Sequence, residues 1–266
     1  MNKEIFSFGV STAHLHFTSI EEAVKEAVTL GFQIIEFFSP ETDMRINKYP
    51  GRYLRDLCIS NGIVPGYHAP YMNGYDMGFN SFDEVKEKIK VIAKTILELQ
   101  PAYAVIHMGT FSQKREEGLL QFTKTLSEVL LPALDNWKGL IGIENFTLCH
   151  GPKALGDRIE DFLYVFDRVK NQNVGFTLDV GHANITKDLF TYIEHFRDRL
   201  VSTHIADNKG ADDEHLCVGE GTVEWDNVLR EISLKGFRGP HIMECTKPEV
   251  ALIRVQKILS SIQSVG

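Results

Sequence analysis

The chain has 266 residues, 43% of them hydrophobic and 24% charged, a balance suited to a globular protein with one large core. Its formal net charge of -8 gives no general attraction to phosphate backbones. Cys58, Cys149, Cys217 and Cys245 are widely spaced and form no C-x-x-C pair, which argues against a disulfide framework or a cysteine zinc site. The start MNKEIFSFGV lacks the apolar core of a signal peptide, and no apolar run reaches bilayer-spanning length. A cytoplasmic protein with no membrane partner is therefore expected, and nothing in the composition specifies an oligomer.

Short β-branched or aromatic runs alternate with longer stretches of helical apolar spacing along the whole chain. Strands are predicted at 5–11, 32–38, 63–68, 102–108, 140–146, 174–180, 200–206 and 239–245. Helices are predicted between them at 19–30, 48–60, 81–99, 116–136, 157–170, 187–198, 224–234 and 248–262. Thr18 or Ser19 caps the first helix, Glu21 and Glu22 suit its positive end, and Gly31 stops it. Ser81 and Pro101 bracket the third in the same way. About eight βα units in this length favour a closed (β/α)8 TIM barrel, a parallel closed sheet forming a single domain over 1–266. The turn GVSTAHLH after the first strand is unlike G-x-G-x-x-G, which sets nucleotide cofactors aside.

Metal-ligand side chains recur where these strands end. His68 closes IVPGYH, His107 closes AYAVIH, Glu144 closes LIGIE, Asp179 closes VGFTLD, His204 lies in LVSTHIAD and Glu244 closes GPHIME. In a βα-barrel these ends point at one mouth, where active sites are built. Converging carboxylates with no Lys or Arg at the matching positions would repel one another unless a cation sat among them. Imidazole mixed with carboxylate suits zinc or manganese. Further along, DDEHLCVGEG adds Asp213 and His215, with Gly219 and Gly221 letting the loop turn back.

Other residues receive plainer readings. His14 and His16 are read as exposed loop histidines, and His150 and His195 as surface positions. His241 lies inside the last strand, Trp225 packs the seventh loop, and the lysines of KEKIKVIAK form a solvated helix face.

Taken in order, GFQIIEFF, YHAPY, VIHMG, IENF, LDVGHA, THIADN, DEHLCVGEGTVEW and IMEC resemble the xylose-isomerase-like TIM barrels. That family includes sugar and sugar-phosphate isomerases and epimerases and the DNA-repair enzyme endonuclease IV. The resemblance covers the whole chain. It implies a core of Glu144, Asp179, His204 and Glu244 around one divalent ion, with Glu144 and Glu244 also the acid/base pair. Under this reading a sugar or sugar phosphate is isomerised by proton abstraction through a metal-stabilised enediolate. His182, Glu36 and Tyr71 would contact the substrate, Glu36 being placed at the end of strand two as in the sugar-active members.

The endonuclease IV resemblance implies the alternative, a zinc phosphodiesterase acting on abasic DNA. His68, His107 and Glu144 would hold one ion, and Glu144 would bridge to a second held by Asp179, His204 and Glu244. His182, Asp213 and His215 would hold a third, so one to three ions are implied. Two departures from endonuclease IV mark the chain, Met108 and Gly109 after His107 where that enzyme has Pro-Gly and the lack of a strongly basic, DNA-inserting loop, while Gly210 stands where ketohexose epimerases carry an Arg. Arg45 and Tyr71 are the candidates for DNA contacts under that reading, the plainer reading being that they line the mouth or the surface.

Overall fold

The computed structural model describes residues 6–147, 149, 151–234 and 236–263. Its strands are β1 (Phe8–Ser11), β2 (Ile34–Phe38), β3 (Val64–His68), β4 (Tyr103–Ile106), β5 (Leu140–Glu144), β6 (Val174–Asp179), β7 (Leu200–Ile205) and β8 (His241–Met243). They pair in parallel in sequence order and close into a barrel through β1 and β8, where Phe8 faces His241. The (β/α)8 barrel expected from the alternation is the fold observed.

The helices are α1 (Ile20–Thr29), α2 (Gly51–Asn61), α3 (Phe82–Leu99), α4 (Arg115–Thr125), α5 (Leu131–Ala133), α6 (Ile159–Arg168), α7 (Val180–Thr186), α8 (Leu189–Phe196), α9 (Trp225–Leu234) and α10 (Pro248–Gln263). Ser19 caps α1 by accepting from the Glu22 N–H, and Ser81 forms a reciprocal capping box with Glu84 at α3. A π-helical turn at Leu126–Leu130 joins α4 to α5, so the predicted helix over 116–136 stops three residues early. Along α3, Val85, Ile89, Ile92, Ala93 and Ile96 are buried while Lys88, Lys90 and Lys94 are exposed, the solvated face expected of KEKIKVIAK.

Strand alternation decides where each side chain goes. Ile35, Phe37, Ala104, Ile106, Ile141, Ile143, Phe176 and Leu178 pack into the layer between sheet and helices. Ile34, Tyr103, Val105, Val201 and Ile242 form a separate small cluster that fills the barrel. Two residues beyond Val105 and Ile242, in the same parity, come His107 and Glu244. The metal-ligand side chains therefore form the layer above the apolar filling. Glycines keep this interior narrow: a Cβ on Gly66 would lie 2.6 Å from the Tyr103 hydroxyl, and one on Gly142 would lie 2.0 Å from Thr177 Oγ1.

Two expectations need correction. Residues 180–186 are helical where a strand end and loop were predicted; the Asp179 side chain accepts from the His182 N–H and starts α7 directly off β6. Glu36 lies in the middle of β2, paired with Ser11 and Gly66, because β2 runs on to Phe38. The four cysteines are free, as expected. Among the described residues, no helix is long and apolar enough to cross a membrane.

Candidate metal centre

The donors predicted from strand ends converge at the barrel mouth. Glu144 stands at the centre and uses its two oxygens differently. His68 Nε2 and His107 Nε2 each lie 3.1 Å from Oε2, while His204 Nδ1 lies 3.1 Å from Oε1. His204 Nδ1 also lies 3.3 Å from Glu244 Oε2 and 3.9 Å from Asp179 Oδ2. Two groups have all their donor atoms within 4.8 Å of one another: His68, Glu144 and His204, and Glu144, Asp179, His204 and Glu244. Every one of these side chains is buried.

A further set adjoins them. Asp213 Oδ2 lies 3.3 Å from His182 Nε2 and 3.2 Å from His215 Nε2. His182 is tied to the inner group through Nδ1, which lies 3.7 Å from Glu144 Oε1.

The backbone settles which nitrogen carries the proton in three of these rings. Nδ1–H of His68 donates to the Ala69 carbonyl (3.0 Å), that of His182 to the Asn145 carbonyl (2.9 Å) and that of His215 to the Glu244 carbonyl (2.7 Å). In a neutral imidazole so held, Nε2 presents a lone pair. Each of these lone pairs faces a carboxylate oxygen at 3.1–3.3 Å, acceptor against acceptor. Such contacts require positive charge, from added protons or from a cation between the two groups. The buried oxygens Asp179 Oδ2 and Glu244 Oε1, which have no hydrogen-bond partner, make the same demand. The donor set fits divalent metal ions.

Without a metal, protons take up that role. Burial works to lower His182, but Asp179 and the hydrogen bond and charge of Asp213 push it up to about 10. His215 goes up to about 9, again against burial, through its hydrogen bond to Asp213 and that residue's charge. Burial would raise Glu144, yet His107 and His204, with hydrogen bonds from His204 and His68, hold it well below the usual carboxylate range. Burial raises both Asp179 and Glu244.

The remaining predicted residues fall around this centre. The Glu36 carboxylate is fully enclosed beneath it, with Oε1 3.4 Å from His204 Nε2 and Oε2 accepting from the Tyr103 hydroxyl at 2.8 Å. In this structure Glu36 faces His204 rather than the opening, where a substrate contact was expected of it. Tyr71 lies at the rim with its ring 4.6 Å from that of His107 and 5.4 Å from that of Phe146. A cavity of about 390 Å³ lined by Phe38, Ser39, Arg45, Tyr71 and Asn73 opens beside it. Arg45 is occupied by Asp43 and by the carbonyls of Thr12 and Leu15. A larger cavity, of about 730 Å³, lies between the start of α9 and α10, away from the donors.

His14 corrects another expectation. It is half-buried, with its ring centroid 4.7 Å from that of His215, and burial together with His215 lowers it to about 4. The reading of His16 and His195 as exposed agrees with the structure, while His150 lies outside the described residues. His241 is buried in the barrel floor against Thr203 Oγ1. Trp225 is buried and donates through Nε1 to Asp207. Asn145 escaped sequence reading: its amide donates to the Asp179 carbonyl, its oxygen accepts from the Asp179 N–H, and its carbonyl orients His182. The polar residue directly after Glu144 was the available signal.

Residues 24–262 match the model of the xylose isomerase-like TIM barrel family. The chain belongs to that family. Within this family's reach, an uncharacterised protein of Methanocaldococcus jannaschii is 29% identical over 197 residues, covering 71% of this chain and 66% of its own. The chain thus spans just under two thirds of that relative. A probable endonuclease 4 of Mycoplasmopsis pulmonis is 24% identical over 275 residues, covering 92% of this chain and 96% of its own. A solved D-tagatose 3-epimerase-like protein superposes with a TM-score of 0.82 at 23% identity over 97% of both chains, a likeness of fold. The proteins that the chain resembles are thus named both for epimerase-like and for endonuclease character.

Proposed function

We propose that the chain is a divalent-metal phosphodiesterase with a multinuclear centre of the endonuclease 4 type. The observation that carries this reading is the division of Glu144 between two groups of histidines, one at each oxygen. A carboxylate used in this way bridges two donor groups and keeps no free oxygen for taking a proton from a substrate. The separate His182, Asp213 and His215 set supplies donors beyond those a one-ion centre needs as ligands. The near full-length similarity to a probable endonuclease 4 supports the same reading.

His68, His107 and Glu144 would hold one ion, Glu144, Asp179, His204 and Glu244 a second, and His182, Asp213 and His215 a third. Zinc suits these mixed imidazole and carboxylate donors, with manganese the alternative. Bound ions supply Lewis-acid stabilisation of charge on phosphoryl oxygens. The chain's own contribution is orientation: the Ala69, Asn145 and Glu244 carbonyls fix three imidazoles, and Glu36 backs a fourth. Tyr71 and the cavity beside it offer the approach for the nucleic acid backbone.

A second reading, the sugar or sugar-phosphate isomerase or epimerase, draws on a different observation. Glu144, Asp179, His204 and Glu244 alone suffice for one ion, and Glu244 Oε1 is a buried oxygen without a hydrogen-bond partner, suited to moving a proton. His182 would then meet a substrate oxygen.

One paired assay separates the two. Protein loaded with zinc or manganese is given an abasic-site duplex and, separately, candidate sugars in deuterated water. Incision without deuterium uptake is expected. Uptake without incision would overturn the phosphodiesterase and leave the isomerase.

A further inference from the structure

We propose that Asp76 is the positioning residue for His107: it fixes the loop that presents this imidazole to Glu144 Oε2. The inference rests on the multinuclear reading, in which His107 holds an ion together with His68 and Glu144. His68, Glu144, Asp179 and His204 stand within strands, where parallel pairing sets their height in the barrel. His107 stands one residue past the end of β4 at Ile106. Its imidazole is placed as closely as that of His68, with Nε2 3.1 Å from Glu144 Oε2. The constraint that the sheet gives the others comes here from the loop beyond β4.

Asp76, in the loop after β3, is the acceptor around which that loop is tied. Its Oδ1 accepts from the backbone N–H groups of Gly78 (3.0 Å), Phe79 (2.9 Å) and Thr110 (3.0 Å). Its Oδ2 accepts from the Thr110 N–H (3.0 Å) and from the Thr110 hydroxyl (2.7 Å). Thr110 lies three residues beyond His107. Between them Gly109 turns the chain with a φ of +87°, and a Cβ on it would collide with Asp76 Oδ1. The loop after β5 joins the same knot: the Leu155 N–H donates to the Gly109 carbonyl (2.8 Å), the Phe111 N–H donates to the Lys153 carbonyl (3.1 Å), and Thr110 bridges to Ala154.

The His107 ring sits between the two loops that this knot joins to its own. Its centroid is 4.6 Å from that of Tyr71, on the loop after β3, and 4.7 Å from that of Phe146, on the loop after β5. Removing the Asp76 carboxylate would free Thr110 and Gly109 and let those walls part, so that Nε2 loses its fixed aim at Glu144. Asp76 is in neither of the converging donor groups, and its effect passes through His107.

Release of zinc to graded chelator in a double-mutant cycle decides the matter. The zinc-loaded parent is compared with Asp76→Ala, His107→Ala and the double variant, and with Asp76→Asn and Thr110→Val as milder changes should Asp76→Ala fail to fold. The expected result is that Asp76→Ala and His107→Ala each release one ion at a chelator concentration at least about tenfold lower than the parent. The double variant should release it no earlier than His107→Ala alone, because both changes remove the same ligand. Asp76→Asn, which keeps one acceptor oxygen, and Thr110→Val, which loses the hydroxyl, should release that ion earlier than the parent by a smaller factor. The outer ion, on His182, Asp213 and His215, should be held as in the parent. In cobalt-loaded protein Asp76→Ala should reproduce the change in visible absorption made by His107→Ala, which a general loss of stability would not do. Additive losses in the cycle, or parental release from the Asp76 variants, would overturn the positioning role and leave the multinuclear centre standing. If His107→Ala itself releases its ions as the parent does, no ion rests on His107, and the proposal falls with that part of the multinuclear reading.

Discussion

Glu36 stands behind His204: its Oε1 is 3.4 Å from His204 Nε2, on the side of the ring away from Glu144, Asp179 and Glu244. The two atoms make no hydrogen bond, yet the charge of a carboxylate there favours a proton on Nε2 and leaves the Nδ1 lone pair for an ion. Glu36→Gln preserves the shape and removes the charge. Metal affinity measured by chelator competition should fall by about 10–100-fold. Unchanged affinity would mean that the packing of His204, not the carboxylate, sets its tautomer.

Gly66 controls the same relay from one strand further along. It leaves space for Tyr103, whose hydroxyl donates to Glu36 at 2.8 Å. In Gly66→Ala the new Cβ would lie 2.6 Å from that hydroxyl, so Tyr103 must move off Glu36. The expected cost in urea unfolding is about 1–3 kcal/mol, the usual range for overpacking a filled core. Metal affinity should weaken as well, in the same direction as for Tyr103→Phe. A destabilised variant with parental metal affinity would break the proposed link from Tyr103 to His204.

Much of this centre was legible in the sequence because strand alternation has a fixed period. Once β5, β6 and β7 were located, their parity placed Glu144, Asp179 and His204 on the inner face, and parallel pairing brought them to one end. Errors arose where one residue of phase or a distant loop mattered. Glu36 was placed at a strand end because β2 runs on through two aromatic residues, which pushes Glu36 down one layer. His14 was read as exposed because its neighbour, His215, is supplied by a loop some two hundred residues away. The helix at 180–186 was missed because Asp179 serves both as donor and as N-cap, and the cap signal was read only as a ligand.

Removing the metal should reverse how the protein responds to alkali. In the metal-free chain His182 is pushed up to about 10 and His215 up to about 9, above the ordinary histidine value. Between about pH 6.5 and those values the folded state binds more protons than the unfolded state, so stability falls as pH rises. That contribution is fully present below about pH 6.5 and is lost on passing through about 9 and 10. Melting temperatures of chelated protein should therefore drop steadily between about pH 7 and 10. Metal-loaded protein should not follow, because ions replace those protons and bind better as they leave. Parallel curves for the two forms would contradict the assignment.

Glu144→Gln tests the centre directly. An amide cannot bridge two cations, and its NH₂ would turn a donor toward the histidines or the ion. Activity should be abolished under either reading of function. Metal content distinguishes them: a bridging Glu144 predicts loss of more than one ion per chain, and a single-ion centre predicts loss of one at most. Retained activity would remove Glu144 from the centre.

Asp207 is the anchor on which the seventh loop hangs. Its side chain accepts from the backbone N–H groups of Asn208, Gly219 and Val223 and from Trp225 Nε1, at 2.9, 2.9, 3.2 and 2.9 Å. These bonds close the stretch that carries Asp213 and His215, and the bridge of Asp207 to Leu216 fixes its middle. Gly221 is part of the same closure, since a Cβ there would lie 2.2 Å from Asp207 Oδ1. Asp207→Ala leaves several buried donors without an acceptor, each costing about 1–3 kcal/mol where water cannot replace it. A loss of about 2–4 kcal/mol in overall stability is expected, the rest being relieved by local opening of the loop. Trp225 should report that opening as a red-shifted, more quenchable fluorescence. Chelator resistance of the outer ion should fall while the inner ions, whose ligands sit on strands, remain. Loss of all ions together would show instead that the seventh loop supports the whole mouth.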